Sequence, residues 1–205
     1  MKHLTKEQLK RDLEIRDLSD EEQGEHCMQL IMNEVIGALK EYWDCPVTIY
    51  REDPIVTVED NYDKLKIDKE SVLRSEVYTR YVDDNHVLRT MASVMVPRGL
   101  QSIKDEIKPN RLLACVGLVY RRDQIDRVHS GVHHQMDLWY TSENPVSEQD
   151  MQDMINIIVK VVTGKENSEY ITIPKIHPYT LDGREIDIMV DGKPLEILEC
   201  GLTNP

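Results

Sequence analysis

The spacing of apolar residues along the chain predicts two amphipathic helices. The first follows the capping-box signature SDEE at residues 19–22 and ends at Pro46, because proline cannot continue a helix. The second follows SEQD at residues 147–150 and ends near Gly164, a residue type favoured just after a helix. The predicted buried stripes are Met28, Ile31, Met32, Val35, Ile36 and Leu39, and then Met151, Met154, Ile155, Ile158, Val159 and Val162.

Strand-like alternation covers most of the remaining chain. The predicted strands are VTIY (47–50), IVTV (55–58), VYTRYV (77–82), HVLRT (86–90), LLACVGLVYR (112–121), HQMDLWY (134–140), YITI (170–173), EIDIMV (185–190) and PLEILEC (194–200). The Asp191-Gly192 pair predicts a hairpin turn between the last two. Strands joined largely by hairpins, with segregated helices, favour an α+β fold in which helices flank an antiparallel β-sheet.

The length of the chain favours one core preceded by a short arm. Residues 1–25 are highly charged and predict an exposed N-terminal helical arm, and residues 26–205 suffice for one substantial core. The sequence contains no apolar run of the length that a signal peptide or a bilayer span requires. We therefore expect a soluble, cytoplasmic protein with no membrane partner.

Charge and cysteine content exclude two further classes. The formal net charge is −13, from 38 acidic and 25 basic residues, which opposes nonspecific attraction to a phosphate backbone. A simple DNA-binding protein is not expected. The cysteines lie far apart with no C-x-x-C pair, which favours reduced thiols over a zinc knuckle or a redox motif. They are Cys27, Cys45, Cys115 and Cys200.

Candidate binding residues concentrate in VYRRDQIDRVHSGVHHQMD, residues 119–137. Strand alternation sends Arg121 and Arg122 to opposite faces, so only one of them can point into a given cleft. An arginine at the end of a buried strand needs an anion or a carboxylate partner. Either a bound anion or a structural ion pair with Asp123 satisfies this requirement, and the spacing alone leaves both open.

The histidines and the acceptors after them have different spacing. His129, His133 and His134 lie in a predicted loop and strand, where this spacing does not gather imidazoles on one face for a metal. Gln135 and Asp137 are two residues apart on a strand and therefore share a face. Their oxygens suit a substrate ammonium, although a solvent-facing strand edge has the same pattern. The chain contains no G-x-G-x-x-G, P-loop, H-E-x-x-H or G-x-S-x-G motif.

The segment 119–137 resembles motif 2 of class II aminoacyl-tRNA synthetases, in the form found in the catalytic subunit of phenylalanyl-tRNA synthetases. Further segments are similar in the same order, from about residue 26 to residue 205. They are REDPIVTVEDNYDKL (51–65), like motif 1; VLRTMAS (87–93), like L-R-T-H-T-S; HPYTLDGREIDI (177–188), like a segment that begins F-P-F-T; and LEILECGLTNP (195–205).

The resemblance implies a set of roles at individual positions. Arg121 would be the catalytic arginine, on the ATP α-phosphate and the substrate carboxylate; Asp123 would lie near the adenine, and His129 near the outer phosphates. The implied amino-acid-binding residues are Ser93, Gln135, Asp137, His177 and Tyr179. Glu196 would bind magnesium, and the implied cofactors are ATP and magnesium.

Several positions depart from the family pattern. Met91 replaces the histidine of R-T-H-T-S, Asp137 replaces glutamate, and His177 and Tyr179 replace the two pocket phenylalanines of F-P-F. An imidazole and a phenol change a pocket that recognises a benzyl ring. The amino acid partner is therefore phenylalanine or another.

The resemblance supports two hypotheses for function. The first is a phenylalanyl-tRNA synthetase-like ligase that forms an aminoacyl-adenylate and transfers the amino acid to tRNA. Residues 26–205 would then be a catalytic core that is incomplete at its C-terminus, because the motif 3 arginine follows the last matched segment in this class. The alternative is a non-catalytic paralogue that binds an amino acid or a nucleotide as a regulator or partner subunit. A homodimer is also implied, with tRNA bound through a missing domain or subunit.

Overall fold

The computed structural model describes residues 2–104, 110–122, 125–126 and 129–203. In chain order, the helices and strands are α1 (Lys6–Leu13), α2 (Cys27–Trp43), β1 (Val47–Tyr50), β2 (Ile55–Thr57), β3 (His86–Leu88), α3 (Val96–Ile103), β4 (Arg111–Tyr120), β5 (Val132–Thr141), α4 (Glu148–Thr163), β6 (Tyr170–Pro174), β7 (Thr180–Val190) and β8 (Lys193–Thr203). The predicted α+β class is confirmed. Short helical turns lie at Glu21–Gln23, Glu59–Asp63, Val72–Arg74 and Ala92–Met95.

The central sheet has the strand order β1-β4-β5. Strand β1 runs parallel to β4, and β5 runs antiparallel to it, with Cys115 opposite Asp137. Every residue of β4 is buried because both faces of the strand are covered. One face packs against α2, and the other packs against α3 and the turn before it. Alternation along β5 therefore directs Gln135 and Asp137 towards the α3 side.

The second three-stranded sheet has the order β6-β7-β8 and is antiparallel throughout. The predicted hairpin turn is confirmed, since Asp191 and Gly192 have φ of 51° and 73°, the positive values that a tight two-residue turn requires. Strands β2 and β3 form a separate antiparallel pair. One face of the second sheet packs against α4 around Ile155 and Ile186, neither of which is exposed to solvent.

Helix α4 matches its predicted start and end. Ser147 accepts a hydrogen bond from the Asp150 amide in a capping box, and Gly164 ends the helix with φ of 66°. The predicted stripe is buried at Met151, Ile155, Ile158 and Val159, but Val162 is 38% exposed.

Helix α2 begins later than the SDEE signature predicts, so that part of the prediction is wrong. His26 is the N-cap, in a capping box with Gln29. The Ser19 hydroxyl instead donates to Asp17 and accepts from Arg51, which takes it away from any helix amide. The stripe is buried as predicted at Met32, Val35, Ile36 and Leu39, but Ile31 is 52% exposed.

The predicted strand at residues 77–82 is also wrong. This segment forms only isolated bridges, at Thr79 and Tyr81. Its carbonyl groups bind elsewhere: the carbonyl of Tyr78 accepts from the Arg122 amide, and that of Thr79 accepts from Arg122 Nε. No periodicity predicted α3, because its sequence, VPRGLQSI, contains both proline and glycine.

Helix α1 lies against the central sheet at the end of β4. Leu4 and Leu9 pack around Leu118 and Tyr120, and the Leu4 amide donates to the carbonyl of Tyr81 at 2.8 Å. The first segment of the chain is therefore docked as well as charged. Among the described helices, none combines the length and apolar character that crossing a lipid bilayer requires.

Candidate active site

A cleft of about 1920 Å³ opens between the edge of β5 and the edge of β8. This volume exceeds the roughly 300 to 1,000 Å³ of typical small-molecule sites. The predicted site residues within the described part of the chain all line it: Ser93, Arg121, His129, Gln135, Asp137, His177, Tyr179 and Glu196. Asp123 lies outside the described residues.

Arg121 follows the last residue of β4 and lines the cleft. Its Nε donates to the carbonyl of Thr90 at 2.8 Å, and its guanidinium carbon lies 5.6 Å from the centre of the Tyr78 ring. Among the described residues, no acceptor binds its two Nη groups. These groups are the forked donors that match carboxylate and phosphate oxygens. Arg122 is turned away and binds the carbonyl of Thr79, as strand alternation predicts.

Asp137 is a desolvated carboxylate that lines the cleft. The Ser93 hydroxyl donates to its Oδ2, and Trp139 Nε1 donates to its Oδ1 at 2.8 Å. Burial raises the pKa of Asp137, and the two hydrogen bonds and the charge of His177 oppose this effect without cancelling it. No lysine or arginine in the described part of the chain forms an ion pair with this carboxylate. A ligand cation would supply the missing charge.

Gln135 lies on the same face of β5 as Asp137, but its free hydrogen-bonding group is a donor rather than an acceptor. Its Oε1 accepts a hydrogen bond from the Ala92 amide at 3.0 Å. Its amide NH₂ group makes no hydrogen bond to a described residue. Gln135 therefore offers a donor to the cleft, whereas Asp137 offers acceptors.

His177 and Tyr179 form the opposite wall. Their rings are stacked with centroids 5.9 Å apart and planes inclined by 23°. His177 Nε2 lies 2.8 Å from Glu199 Oε2, and the Tyr179 hydroxyl lies 3.4 Å from Ser93 Oγ. Burial raises the pKa of Tyr179, so the phenol stays protonated. The contact with Ser93 means that Tyr179 links the two walls of the cleft.

Carboxylates cluster on β7 and β8. Oxygen atoms of Glu185, Glu196 and Glu199 lie within 4.8 Å of one another. Burial and the charges of the other two glutamates raise the pKa of Glu196, a sign of uncompensated negative charge. Asp187 faces Glu196 in the strand register, and its buried Oδ1 has no hydrogen-bond partner among the described residues.

This donor set fits magnesium, because hard cations prefer carboxylate oxygens. A cation of the protein itself, the ammonium group of Lys175, would compete with magnesium for these carboxylates. Lys175 Nζ forms an ion pair with Glu199 at 2.7 Å and another with Glu185. Hydrogen bonds to these two carboxylates raise the pKa of Lys175, so it stays charged between them.

The three histidines of the 119–137 segment do not converge. His129 pairs with Asp126 at 2.8 Å, and the Nδ1 of His133 lies 3.1 Å from the carbonyl of Ser130. His134 Nε2 accepts a hydrogen bond from the Leu18 amide at 2.8 Å, which ties the N-terminal segment to β5. In the described part of the chain, each of these imidazoles thus has its own protein partner.

Sequence reasoning missed three residues of the site. Trp139 supplies a donor to Asp137, and its position two residues further along the same strand could have indicated this. Lys175 and Glu199 gave no such signal. Lys175 follows β6 and Glu199 lies on β8, so their pairing depends on how both strands pair with β7, and the β7–β8 register contains an irregularity between Ile186 and Asp187.

Comparison with known proteins gives consistent results. The family model of the tRNA synthetases class II core domain (F) matches residues 10–205. The alpha subunit of phenylalanine–tRNA ligase from Acinetobacter baumannii is 32% identical over 146 residues, which are 71% of this chain and 42% of that protein. The corresponding subunit from Nostoc punctiforme is 29% identical over 145 residues, again 71% and 42%. The chain thus matches less than half the length of these relatives.

Solved structures agree at the level of the fold. A crystal structure of pyrrolysyl-tRNA synthetase from Desulfitobacterium hafniense has a TM-score of 0.59 at 18% identity and covers 82% of this chain and 57% of that chain. A second structure from the same organism, PylSc, has a TM-score of 0.58 at 16% identity. Together with the family match over residues 10–205, these similarities show that the chain belongs to the class II aminoacyl-tRNA synthetase core family and is distantly related to the alpha subunit of phenylalanine–tRNA ligase.

Proposed function

We propose that the protein is a phenylalanine–tRNA ligase-like enzyme, which activates an amino acid with ATP and transfers it to tRNA. The observation that supports this most is the placement of Arg121, Asp137 and Gln135 around one cleft. The forked guanidinium of Arg121 and the desolvated carboxylate of Asp137, both lining this cleft, match a ligand that carries phosphate, carboxylate and ammonium groups.

In the activation step, a carboxylate oxygen of the amino acid attacks the α-phosphorus of ATP. The bond from that phosphorus to the bridging oxygen breaks, pyrophosphate leaves, and the aminoacyl-adenylate remains. Arg121 would bind the α-phosphate and the attacking carboxylate through its Nη groups, holding two anions together. A charge-assisted contact of this kind supplies about 3 to 4 kcal/mol of transition-state stabilisation in other enzymes.

The amino acid would lie between β5 and the two stacked rings. Asp137, with Ser93 beside it, would accept the ammonium, and the free amide NH₂ group of Gln135 would donate to the carboxylate. His177 and Tyr179 would contact the side chain with their ring faces. The phenol and imidazole edges are polar, so this pocket need not select phenylalanine.

ATP would occupy the rest of the cleft. His129, which lines the cleft, would approach the outer phosphates, and Asp123 would approach the adenine. Magnesium would be held by Glu196 with the neighbouring carboxylates, and when bound it would neutralise phosphate charge. Lys175 already compensates part of this acidic cluster, so the residue that depends most on an added cation is Glu196.

The proposed partners are tRNA and a second copy of the chain. The net charge of −13 means that tRNA would be bound mainly by another domain or subunit. A homodimer is supported by apolar side chains left on β1 and α2, where Ile49 is 48% exposed and Leu30 is 64% exposed.

ATP–pyrophosphate exchange tests the proposal. The protein, in the full reading frame that contains this chain, is assayed with each of the twenty amino acids. We expect exchange that depends on one amino acid or on a few related ones. Arg121→Lys keeps the charge but loses the forked donors, and we expect it to lower the exchange rate by at least about 100-fold.

Arg122→Lys is the matched control, because Arg122 is adjacent in sequence but binds the carbonyl of Thr79 away from the cleft. Its exchange rate should stay within about threefold of wild type, as for substitutions outside the site. Absence of exchange with all twenty amino acids, in protein shown to be folded, would refute catalysis.

The non-catalytic paralogue is the second candidate, and one observation favours it. Lys175 forms ion pairs with Glu185 and Glu199 in the carboxylate cluster. Its ammonium group therefore neutralises charge that a bound metal ion would otherwise neutralise. Calorimetry separates the two functions. Amino acid binding without ATP turnover would support the paralogue, whereas turnover would exclude it.

A further inference from the structure

The loop between β4 and β5 is closed at its base by two residues. The Arg121 amide donates to the carbonyl of Gly131 at 2.8 Å, so these residues form the last rung before the loop opens. Any movement of this rung moves the backbone from which the Arg121 side chain extends.

Arg80 binds both ends of the rung at once. Its Nε donates to the carbonyl of Arg121, and its Nη2 donates to the carbonyl of Gly131, each at 3.0 Å. The approach is close: a Cβ on Gly131 would lie 2.8 Å from Arg80 Nη2 and 3.1 Å from the carbonyl oxygen of Arg121. Arg80 thus clamps the two strands together at the point where they separate.

The third nitrogen of this guanidinium reaches the N-terminal segment. Arg80 Nη1 lies 2.9 Å from Asp12 Oδ2, and the two side chains are only 16% and 6% exposed. A charge pair this poorly hydrated depends on both partners, because removing one leaves the other buried and uncompensated. Helix α1, which carries Asp12, is therefore connected through Arg80 to the loop base.

We infer that Arg80 and Asp12 are positioning residues, which orient Arg121 towards the phosphate by fixing the base of the 121–131 loop. The inference rests on the proposed function, in which Arg121 binds the α-phosphate of ATP. It also gives the N-terminal helix a role in the site: the helix supplies the anion that keeps Arg80 in place. Small displacements of a binding group cost large factors in affinity and rate, so such support is consequential.

Asp12→Asn tests the inference through two readouts. The substitution keeps the shape of the side chain but removes its charge, so Arg80 loses its counterion. Amide hydrogen exchange at Arg121 should accelerate at least about 10-fold, because its acceptor is no longer held. The dissociation constant for ATP, measured by calorimetry, should rise about 10-fold. Asp12→Glu should restore both values to near wild type.

Asp63→Asn is the matched control. Asp63 also neutralises an arginine, Arg74, which likewise donates to two main-chain carbonyls but lies away from the cleft. Its variant should leave ATP affinity and Arg121 exchange unchanged even if it lowers the melting temperature as much as Asp12→Asn does. Equal effects of the two variants, or none from Asp12→Asn, would overturn the inference. Failure of the wild type to bind ATP would instead refute the proposed function, and the exchange measurement would still decide whether the clamp exists.

Discussion

At the scale of a single residue, Asp137 combines an energetic cost to folding with a proposed role in binding the amino acid. It is desolvated, it forms no ion pair among the described residues, and two neutral donors hold its oxygens in place. Its raised pKa means that the folded protein favours the protonated form more than the unfolded chain does. The stability associated with protonated Asp137 is therefore lost as the pH rises from its ordinary value of 3.8 through the pKa of the folded state.

Asp137→Asn should raise the melting temperature at pH 7 and weaken amino acid binding at least about 10-fold. The neutral amide avoids the cost of burying a charge, but it cannot compensate an ammonium. The gain should disappear as the pH is lowered below about 3.8, where wild-type Asp137 is protonated in both states.

Thermal unfolding between pH 3 and pH 8 measures this prediction, with Asp44→Asn as the control. Asp44 is exposed and adopts φ of 43°, which asparagine tolerates, so its variant should differ from wild type by less than about 0.5 kcal/mol at every pH. A stability gain that persists at pH 3 would show that burial of charge is not its cause.

For single residues, the alternation of side chains along a strand was the sequence feature that predicted most of the candidate site. It correctly separated Arg121 from Arg122 and put Gln135 with Asp137 on one face, because the side-chain period of a strand is fixed at two. It did not predict Arg80 or Lys175, which act across elements. Their partners are set by how segments far apart in sequence pack together.

Among the helices, local capping signals succeeded where nothing competed for the capping residue. Ser147 caps α4 as its sequence predicts, whereas Ser19 is taken by Asp17 and Arg51. The same competition explains residues 77–82. Their sequence favours a strand, but the carbonyl groups of Tyr78 and Thr79 accept hydrogen bonds from Arg122. Local sequence propensity therefore predicts a helix or strand correctly only where the capping side chains and backbone groups it relies on are not hydrogen-bonded to distant residues.

Ser147→Ala should destabilise the protein by about 1 kcal/mol, because the Asp150 amide loses its acceptor. Ser147→Thr keeps the hydroxyl, which both accepts from the Asp150 amide and donates to the Asp150 carboxylate, and should stay within about 0.5 kcal/mol of wild type. Urea denaturation measures both. If the two variants are equally destabilised, the capping bond is not what stabilises the start of α4.

The edge strand β1 is the element where the proposed dimer can be tested. Ile49→Lys places a charge on this half-exposed apolar position and should convert a dimer into monomers in sedimentation equilibrium. Val77→Lys is the control, since Val77 is 76% exposed and lies elsewhere in the chain. A monomeric wild-type protein, or dissociation by both variants, would contradict an interface at β1.

At the scale of the whole molecule, the candidate site is the space between two sheets. Strand β5 ends one sheet and β8 ends the other, and the candidate ligand-binding groups come from both edges. The sequence indicated the α+β class and the family through collinear motifs. It did not indicate two separate three-stranded sheets, because the order of strands depends on long-range pairing.

A crystal structure of the protein with ATP and magnesium tests the central claim most directly. We expect the nucleotide in the cleft between β5 and β8, with an α-phosphate oxygen at about 3 Å from the Nη groups of Arg121 and the ammonium site at Asp137 still open. A nucleotide bound elsewhere on the protein, or bound in the cleft with Arg121 still directed only at the carbonyl of Thr90, would contradict the account.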